Sequence, residues 1–93
     1  MDDLKKVEIL KSLADGTRLS VVRKLAHDGC EMLGSDLVGG CSQVLKLSQP
    51  TLSHHLNRLV RSGVLQARKV GTEKHYCLNT ELLLSIGVDP QKI

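Results

Sequence analysis

The chain has 93 residues, three cysteines, one aromatic residue and a net charge of +3. This length suits one small domain with an aliphatic core, and no run approaches the roughly 20 apolar residues of a membrane-spanning helix. We see no signal peptide, and three cysteines do not make a disulfide framework. We therefore expect a single domain over residues 1–93 in the reducing cytoplasm.

A first helix is predicted at the N-terminus. Leu4, Val7 and Leu10 recur at helical spacing, and an aspartate at position 2 or 3 can cap the helix. Leu13 is a further candidate for this apolar stripe. If the stripe meets no partner, it covers the chain's own core.

A second helix is expected to begin at Asp15 or Thr17 and to end at Gly29, with Arg18 on a solvated outer face. After it, apolar residues recur up to position 47, but Gly39-Gly40 interrupts them. Two adjacent glycines inside a helix cost about 2 kcal/mol relative to alanine. We therefore expect two short helices, around 33–38 and 42–45, with a break between them.

Residues 48–62 form the clearest segment, with a helix start, an amphipathic repeat and a stop at Gly63. Ser48 is a good N-cap and Pro50 suits the first turn. The buried face is expected to consist of Leu52, Leu56, Leu59 and Val60. The opposite face has hydrogen-bonding and cationic groups without a carboxylate, and consists of Thr51, His54, Asn57, Arg58 and Arg61. Such a face suits a phosphate-lined groove, whereas His55 borders the apolar stripe and is expected to bond internally.

A β-hairpin is predicted over residues 65–78, with a turn at Gly71-Thr72. Three cations crowd its tip, namely Arg68, Lys69 and Lys74. Residues 48–79 hold five Lys/Arg against one Glu, whereas residues 1–47 hold seven of each sign. The positive charge is therefore concentrated on the helix and the hairpin that follows it. A short helix after the hairpin, capped by Thr80, is expected to bring more apolar residues than so short a segment can hide by itself. We therefore expect them to be buried against a partner or against the first helix.

Three motifs together resemble the ArsR/SmtB family of winged helix-turn-helix repressors. Leu13 to Ser20 looks like the opening of the family's second helix, Leu47 to Leu65 like its recognition helix, and the hairpin like its wing. The resemblance covers roughly residues 4–79, with a short insertion before residue 47. It implies a mainly α fold with a small β-hairpin (α+β), and a cytoplasmic homodimer whose first helix crosses the dimer interface. The family's long last helix looks truncated here.

The resemblance also implies sequence-specific binding of duplex DNA at a palindromic site. We expect Thr51, His54, Asn57 and Arg58 to face base edges. Phosphates or flanking bases would be contacted by Gln49, Ser53 and Arg61, and the backbone by the wing residues Arg68, Lys69 and Lys74. The sequence shows no pattern of an enzyme nucleophile and base.

Members of the family leave DNA when an effector binds, often a soft metal or metalloid. The family's best-known site has two cysteines where this chain has Leu33 and Ser35, and neither is a ligand for soft ions. Cys30 and Cys41 remain as candidates for a disulfide switch or a shared soft metal, although free cysteines more often pack as small hydrophobic residues. No metal or cofactor site is otherwise predicted.

Two other hypotheses stay open. The chain could be a constitutive repressor that has no effector. It could also be a winged-helix protein-interaction module that docks through its apolar C-terminal segment and does not bind DNA. The effect of ionic strength distinguishes the interaction module from a DNA-binding repressor, because DNA binding weakens steeply with salt and binding through an apolar interface does not.

Overall fold

The computed structural model describes all of residues 1–93 and contains five helices and three strands. The elements are α1 (Asp3–Leu13), α2 (Gly16–His27), β1 (Glu31–Leu33), α3 (Gly34–Leu45), α4 (Gln49–Ser62), β2 (Leu65–Val70), β3 (Glu73–Leu78) and α5 (Thr80–Ser85). The strands form one antiparallel sheet in the order β1-β3-β2. The fold is therefore mainly helical with a small sheet, as predicted.

Side-chain caps define where most of the helices begin. Asp2, Asp15 and Ser48 each accept a hydrogen bond from a first-turn backbone N–H, of α1, α2 and α4 respectively. Helix α4 ends at Gly63, whose φ of 89° is the left-handed conformation expected of a C-cap glycine. Helix α5 is capped by the Asn79 side chain and not by Thr80, so the predicted cap was one residue late.

The core lies where α4 packs against α1, α2, α3 and the sheet. On α4, the predicted apolar residues Leu52, Leu56 and Leu59 have no exposed surface, whereas Val60 is only partly buried. The other buried apolar side chains are Ile9, Leu13, Val21, Val22, Leu25, Ala26, Leu37, Cys41, Val64, Leu65, Tyr76, Leu78 and Leu83. With one aromatic ring, this core depends on branched aliphatic side chains.

The predicted apolar stripe of helix α1 does not cover the chain's own core. Leu4, Val7 and Leu10 are 79%, 43% and 50% exposed, whereas Ile9 and Leu13 are buried against the core. The spacing of the first three residues does mark one helix face, but packing against α2 and α4 uses the neighbouring face. An apolar stripe is thus left open on the outside of α1.

Helix α3 runs without a break through Gly39 and Gly40, so the two predicted short helices were wrong. Leu37 and Cys41 lie four residues apart on one side of α3, and both are buried in the core. Burial on each side of the glycine pair holds the backbone helical, because tertiary packing outweighs intrinsic propensity. The residues interpreted as an insertion are part of this helix.

Strand β1 was not predicted, and it pairs with β3 through the register Glu31↔Cys77, Met32↔Tyr76 and Leu33↔His75. The start of α3 packs tightly on β3, because a Cβ on Gly34 would lie 2.7 Å from the Lys74 carbonyl oxygen. Glycine is therefore required at this position.

The C-terminal segment covers more of its own apolar surface than expected. Leu83 is fully buried, and Leu82, Ile86 and Val88 pack against the core. Of the apolar residues on α5, Leu84 alone is classed as exposed, at 54%. None of the helices combines the length and the hydropathy that crossing a membrane would require.

Candidate nucleic-acid interface

The outer face of α4 carries polar and basic side chains and no carboxylate. At about 100° per residue, the centre of this face is opposite the buried leucines and contains His54, Asn57 and Arg61, all exposed. Thr51 lies to one side, where the Ser48 hydroxyl donates to its Oγ1 at 2.9 Å. Gln49 and Ser53 lie to the other side, towards α3 and the wing.

Arg58 is not free on that face. Its Nη1 lies 3.9 Å from Glu8 Oε2 of α1, and its side chain is only 35% exposed. A pair this open to solvent contributes little to stability, about 0–1 kcal/mol. Arg58 must leave Glu8 if it is to contact a base, so its predicted role requires a rearrangement.

His55 joins α4 to the start of α2, in agreement with the expectation that it bonds internally. The Arg18 guanidinium donates from Nη1 to His55 Nδ1 at 3.1 Å, and Asp15 Oδ2 lies 3.8 Å from the same nitrogen. Arg18 also donates from Nε to the Ser12 carbonyl at 2.6 Å. The expectation that Arg18 is a solvated surface residue was therefore wrong, because it connects the end of α1, α2 and α4.

The strand register divides the wing cations between two faces of the sheet. Lys69 is directly opposite Lys74, and this pair shares a face with Tyr76, whose side chain points into the core. Arg68 is opposite His75, on the other face. The period-2 alternation visible in the sequence was sufficient to separate these residues.

Arg68 is engaged on its own face of the sheet. Its Nη2 lies 2.7 Å from Glu31 Oε1, and His75 Nδ1 lies 3.7 Å from the same oxygen. Strand β1 supplies this carboxylate, and the sequence analysis did not predict that strand. The structure thus places Lys69 and Lys74 together and Arg68 apart from them.

A groove of about 340 Å³ separates the start of α3, the start of α4 and the wing. Its lining consists of Gly34, Ser35, Val38, Gln49, Ser53, Lys74 and Tyr76. Three of these, Gln49, Ser53 and Lys74, belong to the predicted DNA-binding set. Ser35 and Tyr76 were missed; the alternation that places Tyr76 on the same strand face as Lys74 could have identified it.

The three cysteines are free thiols in separate surroundings. Cys41 is 3% exposed within α3, and burial raises the pKa of its thiol, although nearby Lys24 acts in the opposite direction. Cys30 Sγ lies 3.6 Å from Thr80 Oγ1, and Cys77 is half-buried on β3. No group of three potential metal ligands is found. Because the thiolate is the reactive form, Cys41 is a poor nucleophile here.

A helical core in which a short turn joins α3 to α4, followed at once by a two-stranded hairpin, is the winged helix-turn-helix arrangement. Its basic, carboxylate-free helix face beside a lysine-bearing wing is the surface of a DNA-binding protein.

Residues 15–67 match the family described as bacterial regulatory protein, arsR family. This chain belongs to that family. It is 43% identical over 72 residues to an uncharacterized HTH-type transcriptional regulator of Methanocaldococcus jannaschii, covering 77% of this chain and 75% of that protein. It is 39% identical over 75 residues to the arsenical resistance operon repressor of Staphylococcus xylosus, covering 81% of this chain and 66% of that protein.

Among solved structures, the fold is similar to that of HlyU from Vibrio cholerae, with a TM-score of 0.69 and 35% identity. The match covers 92% of this chain and 90% of that one. These relatives support the DNA-binding, transcription-regulating function that the resemblance implied.

Proposed function

We propose that this chain is a homodimeric, cytoplasmic repressor that reads a palindromic duplex site with α4 and holds the DNA backbone with its wing. The observation that carries the proposal is the carboxylate-free face of α4 beside Lys69 and Lys74. These two lysines are directly opposite each other in the hairpin, where like charges repel. An anionic partner such as the DNA backbone would relieve that repulsion.

We propose different roles for the members of the predicted contact set. His54 and Asn57, at the centre of the α4 face, would meet base edges, with Thr51 beside them. Gln49 and Ser53 border that centre, and Arg61 lies one to two turns further along the helix; these three suit phosphates or flanking bases. Lys69 and Lys74 are the wing contacts, whereas Arg58 and Arg68 are secondary because carboxylates already hold them.

The dimer is proposed from the open apolar stripe on α1. Met1, Leu4, Val7 and Leu10 are between 43% and 79% exposed, and burying them against a second copy is favourable. A two-fold dimer would present two copies of α4. Half-sites about one DNA turn apart, roughly 34 Å between centres, are then expected.

The Staphylococcus xylosus relative is named as an arsenical resistance operon repressor, and we do not extend a response to arsenic to this chain. Leu33 and Ser35 occupy the positions of the family's cysteine pair, and they do not offer thiolates. A switch through Cys30 and Cys41 remains a prediction, as does constitutive repression without any effector.

The test is selection of bound sequences from random duplex DNA by the reduced protein at low salt. We expect a palindrome to be enriched, and its affinity to fall steeply as ionic strength rises. Repeating the selection after mild oxidation, and with zinc, copper(I) or arsenite, tests for an effector by loss of enrichment. Absence of binding at low salt in every condition would refute the repressor and favour the protein-interaction module.

The wing assignment has a matched pair of variants. Lys69→Ala should weaken binding to all duplexes alike and reduce the salt slope by about one unit, because one phosphate contact is lost. Arg68→Ala removes the same formal charge from the opposite face of the sheet and should have the smaller effect. Equal losses of affinity would refute the proposal that the Lys69 and Lys74 face of the wing, and not the Arg68 face, contacts the DNA.

A further inference from the structure

The groove between the helix-turn-helix and the wing has the donors of an anion site. Its lining offers the Lys74 ammonium, the Tyr76 phenol, the hydroxyls of Ser35 and Ser53 and the Gln49 amide, and it contains no carboxylate. Asp36 lies in the same turn of α3 as Ser35 but does not line the groove.

Tyr76 is the unusual member of this set. It is the chain's only aromatic residue and is 6% exposed, yet its hydroxyl has no hydrogen-bond partner within the protein. No fully buried side-chain oxygen or nitrogen lacks a partner, so this hydroxyl is open to solvent although the ring is buried. A phenol held in this way is available to donate a hydrogen bond to a ligand in the groove.

The position of the ring is fixed from two sides. A Cβ on Gly34 would come within 3.2 Å of Tyr76 Cε2, so the ring packs directly on the start of α3. Lys74 Nζ lies 5.4 Å from the ring centroid and keeps a positive charge over the same side chain. The phenol and the ammonium are therefore held together.

The start of α3 borders the same groove. Leu33 precedes the helix and offers no side-chain cap, so no side chain satisfies the first-turn N–H groups. Gly34 and Ser35, which begin this helix, both line the groove. The positive end of the α3 dipole therefore faces the same site as Lys74.

We infer that this groove binds one phosphate of the DNA backbone, with Tyr76 and Lys74 as its side-chain donors. The inference rests on the proposed function and adds Tyr76 as a direct phosphate contact. A phosphate held between β3 and the start of α4 fixes the wing and α4 relative to one DNA strand. It carries no base information, so its effect is the same for every sequence.

The first test compares Tyr76→Phe with the wild-type protein on the selected palindrome and on an unselected duplex. A hydrogen bond to a charged group corresponds to about tenfold in affinity, so both duplexes should bind about tenfold more weakly. Phenylalanine keeps the buried ring, and the thermal midpoint should be unchanged. If Tyr76→Phe binds a duplex as tightly as the wild-type protein does, the inference is overturned and the proposed function is left intact.

The second test measures charge. Lys74→Gln should reduce the salt slope by about one unit, whereas Lys92→Gln, an exposed lysine near the C-terminus, should leave it unchanged. Equal slopes for the two variants would contradict a specific phosphate contact at Lys74.

The third test locates the phosphate. Single methylphosphonate substitutions remove one backbone charge at a time from the selected duplex. At one position the wild-type protein should lose about tenfold in affinity, and Tyr76→Phe should lose less, because its contact there is already absent. If each methylphosphonate lowers the affinity of Tyr76→Phe by the same factor as that of the wild-type protein, Tyr76 does not contact a phosphate. If the wild-type protein binds no duplex at all, the proposed function fails as well.

Discussion

Arg18 is the residue whose contacts connect the most elements. From α2 it reaches the Ser12 and Lys11 carbonyls at the end of α1, and His55 on α4. The Ser12 carbonyl lies in the last turn of α1, where carbonyls lack partners within the helix, so the guanidinium satisfies a group that would otherwise depend on water. This side chain therefore holds α1, α2 and α4 in register behind the DNA-facing surface.

Replacing Arg18 with alanine should cost about 1–3 kcal/mol in the free energy of unfolding, because two partly buried acceptors, the Ser12 carbonyl and His55 Nδ1, lose their donor. Arg23→Ala, on the exposed side of the same helix, should change it by less than about 0.5 kcal/mol. Urea denaturation of the two variants measures the difference. Similar losses in both would show that the Arg18 contacts do not stabilise the fold.

Asp15 gives the fold a dependence on pH. The hydrogen bond from the Arg18 backbone N–H is the main reason why the pKa of Asp15 lies below the ordinary value; burial acts in the opposite direction, and the positive charge of Arg18 adds to the lowering. A lowered folded-state pKa means that the stabilisation is fully present above the unfolded-state pKa, about 4. It is lost as pH falls through the lower folded-state value.

Asp15→Asn separates this charge from the cap, since asparagine also caps helices well. We expect the wild-type protein to be the more stable above about pH 5, and the difference to shrink as pH falls below 4. The thermal unfolding midpoints of both proteins, measured from about pH 2 to about pH 7, give this difference in stability. A difference that is constant over this range would refute the electrostatic origin.

At the scale of elements, Gly39 lowers the stability of α3 and can be replaced. A Cβ on Gly39 would meet nothing within 4 Å, so alanine fits there without strain. Gly39→Ala should raise the free energy of unfolding by about 0.5–1 kcal/mol, because it restricts the unfolded chain. Gly63→Ala is the control. Gly63 has a φ of 89°, and a Cβ there would lie 3.3 Å from Leu82 Cδ2, so alanine should lower the free energy of unfolding. Equilibrium unfolding that ranks these variants in the opposite order would contradict the geometry.

Local signals were enough to predict the elements whose residues determine them. Ser48, Pro50 and Gly63 define α4, and the alternation around Gly71 defines the hairpin, so both were predicted within a few residues of their bounds. The path of α3 and the existence of β1 depend on long-range packing and pairing. No local pattern could show that Leu37 and Cys41 would hold a helix across two glycines.

The candidate site was predictable to the same extent. Its outer residues on α4 follow from helical periodicity, and the pairing of Lys69 with Lys74 follows from the turn position. The carboxylates that engage Arg58 and Arg68 come from α1 and β1, which are distant in sequence. Only the folded chain reveals those two contacts, and with them the groove that contains Tyr76.

For the whole molecule, the apolar stripe on α1 predicts self-association. Wild-type protein should sediment at about twice the 10.2 kDa mass of the chain. A double variant, Leu4→Gln with Leu10→Gln, should sediment as a monomer with an unchanged helical circular dichroism spectrum. Val44→Gln alters an apolar residue on α3 that is 80% exposed, and it should remain a dimer. A monomeric wild-type protein would refute the proposed interface.

Helix α1 has the stripe on its outer side and contacts α4 on its inner side. Lys5 Nζ donates to the Ser62 carbonyl at 3.1 Å, and the Ser62 and Ser12 hydroxyls bond at 2.9 Å. In a dimer that is formed through the stripe, α1 and α4 of each subunit would rotate together as one rigid body. The crossing angle of the two first helices would then set the distance between the two reading helices. A small change of that angle would be enough to put the pair out of phase with the DNA repeat, with the DNA-facing surface itself unaltered.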